Sequence, residues 1–202
     1  MNYLLKTLLI FTLSILSPLY AHDSEEESLK NLMLQKSDAF FAILNDKGLK
    51  DEERKTKVLA EIEPIFDFRL MSRLSLRKQI WKSISKEQRK EFSSIFVSNI
   101  KASYLDKLDV FSDTKVEIQE AIRVKKSRIE VSAEILTKTD SKKIIYKFYP
   151  NKRRGWLIYD ISIVGVSFLQ SYRVQYSSYL KEHTFEELLE KLKTKNLPKE
   201  NG

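Results

Sequence analysis

Cysteine is absent from the 202 residues. That absence excludes disulfides, thiolate nucleophiles, zinc–cysteine sites and iron–sulfur clusters together. Glycine is nearly as scarce: Gly48, Gly155, Gly165 and Gly202 are too scattered to cradle a phosphate. Histidine occurs twice, as His22 and His183, and neither has a serine or aspartate at a spacing that suggests a hydrolytic triad. Gly165-Val166-Ser167 lacks the second glycine of a nucleophile elbow. Two remote histidines also give too little material for a metal site. Neither a metal nor a cofactor is expected.

What is present points to a folded, basic protein. Apolar residues make up 42% and aromatics 11%, enough for a core, while 32% charged residues supply a solvated surface. Lys plus Arg number 36 against 28 acids, a net charge of +8 with a sequence pI near 9.4. Such a balance favours anionic partners: nucleic acid, anionic lipid headgroups or an acidic protein face.

The N-terminus selects among these. Residues 1–21 read as a signal peptide, with Lys6 as the positive start, an apolar run from Leu8 to Leu16, the helix breaker Pro18, and Ala21 at the cleavage point. The alternative is an uncleaved anchor, for which the apolar run is short. Without a cysteine after the run, a lipoprotein anchor is excluded. Cleavage leaves 181 residues with 35 basic and 28 acidic side chains, a charge of +7. Export to a bacterial periplasm argues against nucleic acid as the partner.

Periodicity then organises the rest into a single α+β domain over residues 22–195, with a loose tail at 196–202. Leu29, Leu32, Met33, Phe40, Ile43 and Leu44 mark a first helix, with Gly48 as its expected left-handed stop. Asp51, Glu52 and Glu53 open a second helix that Pro64 interrupts, and Ile65 to Trp81 reads as a third. Ser85 and Gln88 form a capping box for a long helix over 86–108. After Ser112 the period falls to two. Val116, Ile118 and Ile122, then Ile129 to Ile135, Ile144 to Phe148 and Trp156 to Ile163 predict a four-stranded antiparallel sheet. Helices follow from Phe168 and, capped by Thr184 with Glu187, from Phe185.

Asp160 is the sharpest candidate for acid–base chemistry, being an acid inside an apolar strand. Its structural reading is stronger: it pairs with Arg173 or caps a nearby helix. No enzyme follows from this.

Two stretches are familiar. One is Phe66-Asp67-Phe68 with Trp81, Gln88, Phe92, Phe96 and Tyr104. The other, more specific, is Trp156-Leu157-Ile158-Tyr159-Asp160 with Gly165-Val166-Ser167 and Tyr172-Arg173. Over roughly 28–195 the sequence resembles the toluene-tolerance family, also called the MlaC family, of periplasmic phospholipid-binding proteins. It departs from the family pattern at Arg77, near which that pattern has glycine.

The resemblance implies a fold like nuclear transport factor 2 with a cone-shaped cavity, commonly in a monomer. It also implies a non-catalytic phospholipid carrier that helps maintain outer-membrane lipid asymmetry. Such a carrier takes lipid from an outer-membrane lipoprotein–porin complex to an inner-membrane ABC transporter complex with its periplasmic lipid-binding subunit. A chaperone or interaction module of the same fold is the alternative, and an enzyme on that fold a third.

On the carrier reading, acyl chains lie between the long helix and the sheet. The expected walls are Phe92, Ile95, Phe96, Ile100 and Tyr104 on the helix, and Val131, Ala133, Ile135, Ile144, Tyr146, Phe148 and Ile158 on the strands. Each has a competing reading as ordinary core. Lys142, Lys143, Lys152, Arg153 and Arg154 are either solvation or a contact for an anionic partner.

Overall fold

A computed structural model describes residues 24–106, 108–111 and 114–194. The leader 1–21, its cleavage point, His22 and the tail 196–202 lie outside the described residues. Helix α1 (Glu25–Leu44) begins where Ser24 accepts a hydrogen bond from the Glu27 N–H, with Glu25, Glu26 and Glu27 at the positive end of the helix dipole. Arg123 of the sheet pairs with Glu25 at 2.6 Å and Glu26 at 2.7 Å, and its hydrogen bonds hold both carboxyls below their ordinary range.

Gly48 is not the left-handed stop that was expected. Positive φ occurs among the described residues only at Val164, Gly155 and Gly165. The Asp46 carboxylate turns the chain instead, accepting the Gly48 N–H at 2.8 Å. Helix α2 (Asp51–Ile62) gives way to a 3-10 turn, Glu63–Ile65, because Pro64 has no N–H to continue the ladder.

The single helix predicted over Ile65–Trp81 is two: α3 (Phe68–Leu74) and α4 (Lys78–Ser83). Asp67 opens the first by accepting the Leu70 N–H at 2.9 Å. Arg77 opens the second from an ordinary extended conformation (φ −64°, ψ 146°), so glycine's freedom is not needed there. The capping box at Ser85 and Gln88 forms with both of its bonds and starts α5 (Lys86–Leu105), which stops short of the expected 108.

The sheet has five strands, not four: β1 (Lys115–Lys125), β2 (Arg128–Leu136), β3 (Ser141–Asn151), β4 (Gly155–Ile163) and β5 (Val166–Ser167). All neighbours are antiparallel and in chain order. Two residues are too few to show an alternating pattern, which is why β5 was missed. A register shift between Ile118 and Ala121 also reverses the phase of β1. Ala121 turns inward, and Ile122, expected beside Ile118, is 49% exposed.

The β4–β5 turn strains one residue. Val164 has φ +50° ahead of Gly165 at +80°, a conformation that β-branched side chains resist. Asn-Gly is the preferred pair for a two-residue turn with both φ values positive. Val164→Asn is therefore expected to stabilise the fold by about 1 kcal/mol. In a domain of this size that raises the melting temperature by about 2–4 °C in a circular dichroism melt. No rise would show that the turn stores no strain.

Helices α6 (Phe168–Tyr179) and α7 (Phe185–Lys193) close the chain, the latter through a second capping box at Thr184 and Glu187. Asn99 ties α5 to the end of α7 by donating to the Leu192 carbonyl at 2.8 Å. Most of the buried apolar residues fall into three clusters. One joins α3, α5, α6 and α7 around Phe92, Phe96, Tyr176 and Leu188. Another packs Leu29, Met33 and Ile65 on the sheet residues Ile129, Val131, Phe148 and Ile158. The third gathers Phe40, Leu44, Val58 and Leu108.

Candidate functional site

The expected wall on α5 does not face one way. Residues spaced by four drift about 40° per step around a helix of 3.6 residues per turn. From Phe92 to Tyr104 the accumulated turn is about 120°. Phe92 and Phe96 accordingly pack among the other helices, against Tyr176 at 5.7 Å, Phe185 at 5.9 Å and Tyr172 at 5.5 Å between ring centres. Ile95 and Ile100 lie at the edge of the same cluster. Tyr104 has turned away and meets Phe40 and Phe111.

The sheet wall also divides. Val131, Phe148 and Ile158 are solid core with 0% exposure, closed by α1 and Ile65. Ala133 and Ile144 face each other across β2 and β3 and are buried, yet belong to none of the three clusters. Ile135 and Tyr146 are half-buried. Beside them stand Ile118, paired with Ala133, and Ile161, paired with Tyr146, both half-buried on the same face. Neither was named as a candidate from the sequence. The pairing of Ile161 with Tyr146 depends on a bulge between Lys147 and Phe148 that alternation alone does not reveal.

The apolar face of the sheet thus carries partly open side chains, Ile118, Ile135, Tyr146 and Ile161, beside the core closed by α1. Tyr146 is pushed up to about 12 by burial, and burial also raises Tyr104, with Tyr146 adding to the effect.

Asp160 and Arg173 do not pair. Asp160 is buried and ion-paired to Lys147 at 3.0 Å, its neighbour across the β3–β4 ladder. Its two oxygens also accept from the Ser167 hydroxyl at 2.7 Å and the Leu169 N–H at 3.1 Å. Asp160 thus ties β4 to the start of α6 directly, which was the other structural reading of this acid. Arg173, two turns further along α6 from Ser167, reaches away and donates to the Leu74 carbonyl at 2.6 and 3.0 Å and to Gln170. A second tie, unforeseen, brings Tyr149 and Asn151 onto the carboxylate of Asp67.

The five basic candidates are split. Lys142 and Lys143 lie at the start of β3, while Lys152, Arg153 and Arg154 form the β3–β4 turn at its far end. Nine extended residues put roughly 30 Å between the two groups. The β1–β2 turn brings Lys125, Lys126 and Arg128 to the second end, two strands away, or about 10 Å. Among the described residues none of these six turn cations is ion-paired to a carboxylate.

Other sites are unremarkable. Two surface clefts of about 370 and 400 Å³ are lined largely by charged groups, and neither includes a predicted wall residue. Among the described residues no group of three His, Asp or Glu is arranged to hold a metal, and no helix is long and apolar enough to cross a membrane. His183 lies stacked on Tyr179 at 3.9 Å and is exposed.

Comparison with known proteins places this architecture. The family described as MlaC protein matches residues 34–194. The chain belongs to the MlaC family. Direct comparison with curated proteins gives no match. Among solved structures, a phospholipid-binding protein from Ralstonia solanacearum, determined in complex with a phospholipid, is similar with a TM-score of 0.70 at 17% identity. The match covers 83% of this chain and 96% of that one. At that identity the likeness shows a shared fold, here an antiparallel sheet with flanking helices.

Proposed function

We propose that this protein is a periplasmic phospholipid carrier, exported by the leader 1–21 and cut after Ala21. It holds acyl chains between α5 and the sheet, in the cone-shaped manner of a nuclear transport factor 2 fold. As a monomer it passes lipid between an outer-membrane lipoprotein–porin complex and an inner-membrane ABC transporter complex with its periplasmic lipid-binding subunit. The observation that supports this most is the row of half-buried apolar side chains on one face of the sheet, Ile118, Ile135, Tyr146 and Ile161, in a member of the MlaC family.

The energetics suit a carrier without a catalytic group. Each buried methylene is worth about 0.8 kcal/mol against water, so a sixteen-carbon chain gains roughly 12 kcal/mol. A bilayer offers nearly the same, so loading is close to balanced and direction comes from the partners. The basic end formed by the β1–β2 and β3–β4 turns, and the smaller one at Lys142 and Lys143, supply contacts for anionic surfaces on those partners. The test is to purify the exported protein, extract it with organic solvent and identify co-purified lipid by mass spectrometry. Phospholipid is expected at a fixed stoichiometry. Protein that is lipid-free and also takes up none from vesicles rejects the reading.

A further inference from the structure

Four consecutive residues at the β4–β5 turn, Ile163 to Val166, are exposed, and three of them are large and apolar. Val164 is 65% exposed and Val166 61%, so burial does not explain why a valine stands at φ +50°, where asparagine fits better. A Cβ placed on Gly165 would meet nothing within 4 Å, and the turn projects into open space. The tip is continuous with the apolar face of the sheet. Laterally paired residues share a face, and Ile118, Ala133, Ile144, Ile163 and Val166 form one such row from β1 to β5. Along it the side chains pass from the buried Ala133 and Ile144 to the exposed Ile163 and Val166. Two rows away, at Ile129, Phe148 and Ile158, the same face is closed by α1 and Ile65. The face therefore opens toward the tip. Cations flank it there. Lys142 lies on that face, paired with Ile135, and the Lys143 carbonyl accepts the Val164 N–H at 2.9 Å. Both lysines are exposed, and among the described residues neither is ion-paired to a carboxylate. The nearby acids are engaged elsewhere: Glu134, opposite Lys143, accepts from Gln119 and Ser141, and Asp140 accepts the Ser141 N–H.

We propose that the β4–β5 turn is a membrane-contact tip: Ile163, Val164 and Val166 enter the surface of an anionic bilayer while Lys142 and Lys143 meet its phosphates. This deepens the phospholipid reading above, on which its purpose rests, because the row behind the tip gives an acyl chain an apolar path to the sheet. Apolar side chains that gather within a polar rim mark interaction sites, whereas scattered ones do not. A stable protein interface takes about 800 Å² from each partner, more than a four-residue turn offers. A bilayer requires no such area. A few apolar side chains enter its headgroup boundary, and lysines beside them add attraction to anionic lipid. The anionic surface met by this end of the sheet is then the bilayer around the partner complexes.

The test is co-sedimentation of the purified exported protein with vesicles of phosphatidylethanolamine and phosphatidylglycerol, and separately with vesicles of phosphatidylcholine. Wild type is expected to bind the anionic vesicles. Val164→Asn with Val166→Ser weakens that binding about tenfold or more, with the fold kept by circular dichroism. Lys142→Gln with Lys143→Gln weakens it about tenfold on the anionic vesicles alone. Val124→Ser, at an exposed valine on the opposite edge strand, changes nothing. Tip variants that bind like wild type overturn the proposal, as does a wild type that binds neither vesicle. Loss on Lys152→Gln with Arg153→Gln, and not on the tip variants, puts the contact at the other end of the sheet and overturns it too. A tip needed only on vesicles that carry membrane proteins docks on a protein, which also overturns it. Lipid is extracted from the same samples. Vesicle binding without lipid uptake rejects the carrier reading and leaves the contact standing, whereas lipid-loaded protein that ignores vesicles rejects the tip alone.

Discussion

Asp160→Asn is expected to lower the melting temperature by about 6–12 °C. The carboxylate is 5% exposed and serves three donors: the Lys147 ammonium, the Ser167 hydroxyl and the Leu169 N–H. An amide keeps one acceptor oxygen and turns two N–H donors toward groups that are themselves donors. Breaking a buried ion pair costs about 3–5 kcal/mol, and the Lys147 side chain is 22% exposed, which places the cost at the lower end. About 3 kcal/mol corresponds to the stated shift in a domain of this size. The partner is checked by double-mutant cycles. Asp160→Asn with Lys147→Met should be less damaging than the sum of the two, because the pair is removed together. Asp160→Asn with Arg173→Ala should be additive within about 0.5 kcal/mol, since Arg173 is bonded to the Leu74 carbonyl instead. Strong coupling to Arg173 and none to Lys147 would overturn this account.

That case shows which parts of the fold were legible. Local signals read well: the Ser85–Gln88 and Thr184–Glu187 capping boxes form as written, and β2, β3 and β4 fall where the alternation placed them. What failed depended on register. The partner of Asp160 is set by the β3–β4 pairing, and Lys147, thirteen residues upstream, gives no sign of it in the sequence. The β1 bulge sent Ile122 outward for the same reason. The α5 stripe looked like one wall because spacing by four was treated as a straight line, whereas it winds around the helix. Basic residues near in sequence, Lys142 to Arg154, separated to opposite ends of a strand, while Lys125, Lys126 and Arg128 came close to Arg154's turn through the sheet order. Lys125-Lys126-Ser127-Arg128 was not among the basic candidates, although hairpin geometry alone puts alternate turns of a meander at one end.

Ile161→Trp is expected to reduce bound phospholipid at least tenfold while costing less stability than Ala133→Trp, because Ile161 packs at the half-buried edge of the α1–sheet cluster and not inside it. Ile161 faces the layer beside Tyr146 and is half-buried, so an indole there projects into the space proposed for the chains. Ala133 is the contrasting position. It is the small residue among large neighbours and is 0% exposed, with Ile118 and Ile144 on either side in the sheet. Ala133→Trp must overpack that site, at a cost of about 1–3 kcal/mol or more. The two variants are compared by melting temperature and by lipid content after solvent extraction. Lipid lost from a stable Ile161→Trp, beside an unstable Ala133→Trp, places the acyl chains on the Ile161 and Tyr146 side of the sheet. An Ile161→Trp variant that melts as low as Ala133→Trp would mean that the layer is filled there by the protein's own core, and that any chains run elsewhere.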